Sequence, residues 1–290
     1  MFSLRWRVGA VILPFVFYVV FFLAPLSLSF FESLRTYVAG AIGSSANAPF
    51  TLENYIALLS PAYLGFLGHT FRLSLIATVL VLLASYPFAH HLARRPSGTT
   101  RKLMVSGLVL LLFMSTLVKV YSLSISLGPT GFGRPLAALL GTHPNSRMMS
   151  EIFVVLGLFG FLYPIATLMQ IGTIQNINPR YLEAALALGA NRLTSHFKVV
   201  LPLCIDGLIA TFLVIFTLAI SAFVIPMILG RGHITFITNL IYTRFSELAN
   251  YPSGAALSML MLVISLTMVF VFSGLLSRFV ARRLKTVPET

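Results

Sequence analysis

The sequence predicts an all-α membrane protein with six transmembrane helices, and three observations carry that prediction. Charged residues make up only 9% of the 290 and mean hydropathy is +0.94, whereas soluble domains carry about 25% charged residues. Six apolar runs each reach the roughly 20 residues that a helix needs to cross about 30 Å of hydrocarbon. None of the runs shows the apolar/polar alternation of barrel strands. Open strands are excluded because every backbone group in lipid must be satisfied within its own segment.

The runs are Val8–Phe31, His69–Leu92, Leu103–Leu127, Ile152–Ile174, Cys204–Leu229 and Ala255–Phe279. The first comes after Arg5 and Arg7, as a signal peptide would. Its apolar core of about 24 residues exceeds the 7–15 of a signal h-region, so it reads as an uncleaved first helix. Residues 1–31 are therefore taken as tail plus first span, 32–68 as an extracytoplasmic loop, 69–279 as the membrane core and 280–290 as a basic tail. Pro14, Pro25, Pro87, Pro164 and Pro226 fall within the runs, where each removes an N–H and favours a kink. Pro226, in "SAFVIPMILG", is the one expected to shape a pathway.

Orientation is read from the cations. Arg5, Arg7, Arg94, Arg95, Arg101, Lys102, Arg180, Arg192, Lys198, Arg278, Arg282, Arg283 and Lys285 flank one side, thirteen in all. Arg35, Arg72, Arg134, Arg147, Arg231 and Arg244 flank the other, which is six. The richer side is expected in the cytoplasm, together with both termini. Topology and anionic lipid headgroups then account for a net charge of +13 without any nucleic acid. Cys204 is the single cysteine, so no intramolecular disulfide forms. His90-His91 has no third ligand nearby in sequence, and no metal site is expected.

Between the fourth and fifth runs lies a polar segment, "YLEAALALGANRLTSHFKVVLPL", within residues 176–203. Asn178-Pro179 supplies a helix cap and then Pro at the first helical position. Glu183 sits near the helix N-terminus, where a carboxylate gains from the dipole. Ala184, Ala185 and Ala187 offer a small-residue surface for close approach by another protein. Gly189 fits a helix stop, and Asn191 is placed to cap a second short helix ending near Val200, before Leu201-Pro202 opens the fifth span. This spacing predicts an exposed helix–turn–helix elbow.

The same residues spell E-A-A-x3-G-x9-V-x-L-P, from Glu183, Ala184 and Ala185 through Gly189 to Val199, Leu201 and Pro202. The pattern resembles the coupling loop of permease subunits in binding-protein-dependent, type I ABC importers, with Val199 where that family usually has Ile. The resemblance extends over roughly Leu52 to Phe279. "FTLENYIALL", "LASYPFAHHLARRP", "STLVKVYS" and "SAFVIPMILG" are similar to the spermidine/putrescine-like permease branch. It implies the type I permease fold, with coupling helices between helices 4 and 5 docking on a cytoplasmic ATPase. It also implies a second homologous permease subunit, two ABC ATPase subunits that bind ATP-Mg, an extracytoplasmic solute-binding protein and a bacterial inner-membrane location. Lys119 stands where that branch commonly has Arg, Arg134-Pro135 replaces a usual Ile/Leu-Asn pair, and Asp206 replaces a frequent Pro. The solute implied is a polyamine or another small organic ion; opines, phosphonates and ferric iron are carried by related systems.

Lys119, Tyr121, Phe223 and Pro226 are the candidate pathway residues. Lys119 is placed deep in the third run, about 24 Å from its cytoplasmic end at 1.5 Å per residue, where it either lines the pathway or snorkels outward. Arg134, Arg147, Arg231 and Arg244, with Glu53 and Glu247, read as solvated loop charges, with docking of a binding protein as the alternative, and Glu151 and Asp206 read as span-start charges that helix dipoles explain. No G-x-x-x-x-G-K-[ST] occurs, so nucleotide chemistry belongs to another subunit and no cofactor is expected in this chain. An ion-coupled secondary transporter is the rival reading, but all seven acids fall in loops or at span ends and leave proton coupling without a carrier. A membrane enzyme is the other; no HExxH, GxSxG or clustered acid/base set lies in the runs.

Overall fold

The computed structural model describes residues 14–38, 40, 48–94, 98–128 and 131–284. Val8 to Leu13 of the first run, the cations Arg5, Arg7, Arg95 and Lys285, and the last residues of the tail lie outside the described residues. In chain order the helices are α1 (Pro14–Ser33), α2 (Glu53–Leu58), α3 (Pro61–Arg94), α4 (Thr99–Phe113), α5 (Thr116–Ser126), α6 (Gly133–Leu139) and α7 (Arg147–Gln175). They continue with α8 (Arg180–Ala187), α9 (Arg192–Ser195), α10 (Leu201–Ile220), α11 (Val224–Leu229), α12 (Ile237–Tyr242) and α13 (Tyr251–Leu284). Five helices among the described residues are long and apolar enough to cross a membrane, and α4 with α5 forms a bent sixth. Helices are the expected outcome where lipid offers backbone groups no partner.

Three boundaries differ from expectation. The third run, Leu103–Leu127, is not one straight helix: α4 and α5 meet at 93°. Met114 (ψ 130°) and Ser115 (ψ 131°) are extended there, and a serine favours the cap position over a helix interior. Hydropathy cannot register such a corner, because both arms are apolar. The depth assigned to Lys119 along one axis is corrected accordingly, since Lys119 lies beyond the corner.

The fifth run also breaks, at Ser221–Phe223, before α11 begins. The Ala222 carbonyl freed by this break accepts from the Thr238 hydroxyl at 2.8 Å. Pro226 falls on the third residue of α11, where a missing N–H leaves no bond unmade, so it kinks no span. The second run starts eight residues early, at Pro61 rather than His69. Pro87 and Pro164 lie inside continuous helices.

The chain divides into two compact units. One comprises residues 1–66 and 239–264. Here the connector after α1 is pinned by polar contacts. Asn54 donates to the Ser33 and Arg35 carbonyls at 3.0 and 2.8 Å, and the Ser33 and Tyr55 hydroxyls pair at 2.7 Å. Arg244 donates to the Tyr63 hydroxyl and Tyr37 donates to the Leu248 carbonyl.

The other unit comprises residues 67–238 and 265–290. Its centre is α7, half of whose apolar window is buried, as befits a helix surrounded by others. Leu73, Val81, Phe153, Leu158, Ile215 and Phe236 form its main cluster. A second cluster of Leu92, Leu108, Ile174, Val200 and Cys204 sits at the far end of α3 and α7. A buried hydrogen bond joins Ser85 of α3 to Gln170 of α7 at 3.0 Å. Such interhelical bonds contribute about 0.6 kcal/mol on average in membranes.

At one end of this unit Glu151 pairs with Arg72 at 2.5 Å and with Arg147 at 3.7 Å. Arg231 lies over the Phe153 ring, 4.9 Å from its centroid. Glu151 is thus more than a helix-end charge, and its partner on α3 is invisible in the sequence.

Small residues set how closely helices approach in a bilayer. A Cβ on Gly207 of α10 would stand 2.1 Å from the Thr173 methyl of α7, whereas one on Gly160 would meet nothing within 4 Å. Gly207→Val is expected to cost about 1–3 kcal/mol, as overpacking does, and Gly160→Ala to be neutral. Thermal unfolding of the detergent-solubilised protein checks the pair: a lower midpoint for the first and an unchanged one for the second.

Candidate functional site

The polar segment between α7 and α10 folds into an elbow. α8 starts at Arg180, with Pro179 in the cap position and the Asn178 side-chain oxygen accepting from the Arg180 N–H at 3.0 Å. Its end is fixed by two backbone bonds of a Schellman turn: Ala190 N–H to the Ala185 carbonyl at 3.2 Å and Gly189 N–H to the Leu186 carbonyl at 3.0 Å. Gly189 has φ +85°, the left-handed region that costs an L-residue about 1–2 kcal/mol. Asn191 then accepts from the Thr194 N–H at 2.7 Å and caps α9. Each of these punctuation residues is legible in the sequence.

The exit from α9 departs from expectation. The short helix does not stop before Leu201-Pro202. It passes through a π-helical segment, His196–Val200, straight into α10. Within that segment the Leu201 N–H bonds the His196 carbonyl, five residues back. Proline clashes with the carbonyl four residues before it, and the wider π turn relieves that clash at Pro202. The motif therefore divides. Glu183, Ala184, Ala185 and Gly189 belong to the elbow, whereas Val199, Leu201 and Pro202 belong to the helix re-entering the membrane layer.

The faces of α8 separate cleanly. Leu182, Ala185 and Leu186 are half-buried, and Leu182 packs on the cluster of Ile174 and Val200. Arg180, Tyr181, Glu183, Ala184, Ala187 and Leu188 are exposed, with Leu188 at 89%. An apolar side chain so open, flanked by alanines and one carboxylate, makes a surface suited to a protein partner. Arg94, at the end of α3, donates to the Ile177 carbonyl at 3.1 Å and so ties that helix to the elbow's entry. Sequence reasoning does not find this tie; the residues are 83 positions apart and carry no shared pattern.

The pathway candidates are not gathered in one place. Lys119 is half-buried on α5 beside a cavity of about 220 Å3 shared with Gly157, Gly160 and Phe161 of α7. Its ammonium has no ion-pair or hydrogen-bond partner among the described residues. Tyr121 is exposed to 56%, and Phe223 precedes the first turn of α11. Pro226 is buried in α11, whose neighbours Ile225 and Leu229 press on Gly157 of α7. Of the four, only Lys119 lines that cavity. No group of three His, Cys, Asp or Glu residues suited to a metal occurs among the described residues.

Comparison with known proteins agrees with this geometry. The chain is 32% identical over 227 residues to the spermidine/putrescine transport system permease protein PotB of Haemophilus influenzae, covering 77% of this chain and 79% of that one. It is 31% identical over 225 residues to the protein of the same name from Escherichia coli K12, covering 77% and 82%. In structure it is similar to a chain of a bacterial alginate ABC transporter solved with an alginate pentasaccharide-bound periplasmic protein. That match has a TM-score of 0.74 at 16% identity and covers 95% of each chain. A chain of the MetNI methionine ABC transporter matches with a TM-score of 0.51 at 14% identity, over 77% of this chain and 99% of that one. Residues 85–286 match the family described as binding-protein-dependent transport system inner membrane component. The elbow, the helical membrane core and the matched residues lead to one conclusion: this chain is a multi-pass inner-membrane permease subunit of the binding-protein-dependent ABC importer family.

Proposed function

We propose that the chain forms half of the translocation pathway of an ATP-driven importer and that α8 is its lever. The observation carrying this reading is the elbow itself. An exposed helix bearing Glu183 is locked by the turn at Gly189 and suspended between two packed membrane helices. Glu183 offers a carboxylate to a basic group or backbone N–H in the cleft of an ATPase subunit, and Ala184 lets that cleft approach closely. Gly189 sets the angle between α8 and α9. Val199, Leu201 and Pro202 make the continuous helix through which a push on the elbow reaches α10.

A second, homologous permease subunit supplies the other half, and two ATPase subunits bind ATP-Mg. An extracytoplasmic binding protein delivers the solute. Closure of the ATPase pair draws two elbows together, and differential contacts in two states carry the coupling. Kinship with the spermidine/putrescine permeases makes a polyamine the solute class. Lys119 is the pathway group whose charge lies nearest a cavity, Pro226 shapes the packing beside it, and Tyr121 and Phe223 complete the candidate route. The excess of cations on that flank supports a cytoplasmic elbow and cytoplasmic termini.

Two experiments test this reading. Glu183→Lys and Gly189→Asp are expected to leave the protein in the membrane at normal abundance and reduce uptake of radiolabelled putrescine to background. Normal uptake in both variants would remove α8 from the mechanism. Separately, cysteine introduced at Leu188 in a Cys204→Ser background is expected to react with a membrane-impermeant maleimide in inside-out vesicles and not in intact spheroplasts. The opposite labelling pattern would invert the topology.

A further inference from the structure

A cavity of about 670 Å3 opens between the C-terminal end of α3 and the π segment leading into α10. Its character is divided. Leu82, Leu83, Leu201 and Leu208 make an apolar wall, whereas Arg192 supplies a cation and His90 and His196 supply imidazole nitrogens. The two imidazoles meet edge-to-face with centroids 4.5 Å apart, and the Tyr86 ring lies 5.5 Å from that of His196.

One nitrogen of the lining is unanswered: His90 Nε2 is buried with no hydrogen-bond partner. Among the described residues no carboxylate lines the cavity. A buried polar group left unpaired costs roughly 1–3 kcal/mol, and more when charged, so this arrangement is complementary to an anion rich in acceptor atoms. A free inorganic anion would gain nothing from the leucine wall, and a neutral hydrocarbon nothing from the basic end. Basic pockets between transmembrane helices on the cytoplasmic side suit anionic lipid headgroups, and this cavity lies beside the elbow on the cation-rich side of the chain.

We propose that the cavity binds one anionic phospholipid, its phosphate against Arg192 and His90 and an acyl chain along Leu82, Leu83 and Leu208. Bound there, the lipid bridges α3 to the helix that leaves the elbow. The site stands on the cavity and its donors, and does not depend on which solute the transporter carries.

Native mass spectrometry of the purified full-length chain tests the site, with dioleoyl phosphatidylglycerol, dioleoyl phosphatidylethanolamine and inorganic phosphate as probes. The wild type is expected to retain one phosphatidylglycerol in the presence of excess phosphatidylethanolamine, and millimolar phosphate is expected not to displace it. Arg192→Gln should weaken retention by about tenfold or more, the size of a lost charge-assisted contact. Leu83→Trp fills the apolar wall without touching a charge and should weaken it similarly. Leu83 is 69% exposed, so the larger ring is compatible with folding.

Equal retention of the two lipids by the wild type would overturn the proposal. So would displacement by phosphate, which would mark a free-anion site, or undiminished retention in both variants. A photoreactive residue at position 83 in the assembled transporter supplies the last arm: a lipid adduct supports the site, and a crosslink to another polypeptide overturns it.

Discussion

The proposed lever rests on the contact between α7 and α10. The elbow leaves the membrane layer from the first helix and returns through the second, so it can act as a lever only if those two helices hold their separation. Thr173 lying against the bare backbone of Gly207 sets that separation at a distance no other residue at 207 would allow. Lipid offers helices no hydrophobic incentive to associate, and close packing of small residues supplies the attraction instead. The arrangement also accounts for the placement of Gly207 six residues after Leu201, within the first two turns of α10. A hinge there would absorb whatever displacement reached the elbow.

Around that contact the elbow is held by short-range devices, each cheap and local. The Schellman turn, the Asn178 and Asn191 side chains and the bond from Arg94 to Ile177 satisfy backbone groups that an exposed segment would otherwise leave to water. Their combined effect is directional. α8 packs Leu182 on the membrane core, with Ala185 and Leu186 half-buried, while keeping Glu183, Ala184 and Leu188 exposed. A disordered loop with the same composition would present the same chemistry without a fixed angle, and could not transmit a push.

Much of this is legible in the residues. Run length and charge depletion give the spans, and the cap residues give the elbow, because both signals are local and arise directly from backbone hydrogen bonding. Three things are not. The corner at Met114-Ser115 joins two arms of equal hydropathy. The π segment before Pro202 depends on a carbonyl clash that a one-letter code does not display. The pairing of Arg72 with Glu151, and of Arg94 with Ile177, spans about 80 residues of chain and arises only when the helices pack. Pro226 reads as a kink while it stands in an apolar run; once the run breaks at Ser221, the same residue becomes an ordinary helix start.

The π segment has a rotational meaning as well as a steric one. A helix is a screw, and one residue more or fewer turns everything beyond it by about 100°. The five residues His196–Val200 therefore fix the phase at which α10 enters the core. Phe212 and Phe216 stack 5.8 Å apart and meet Phe272 edge-on at 5.4 and 5.7 Å because of that phase. Loosening or tightening this one turn would spin the aromatic ladder about the axis of α10. The joint between elbow and membrane thus sets a rotational phase for α10 as well as its point of entry.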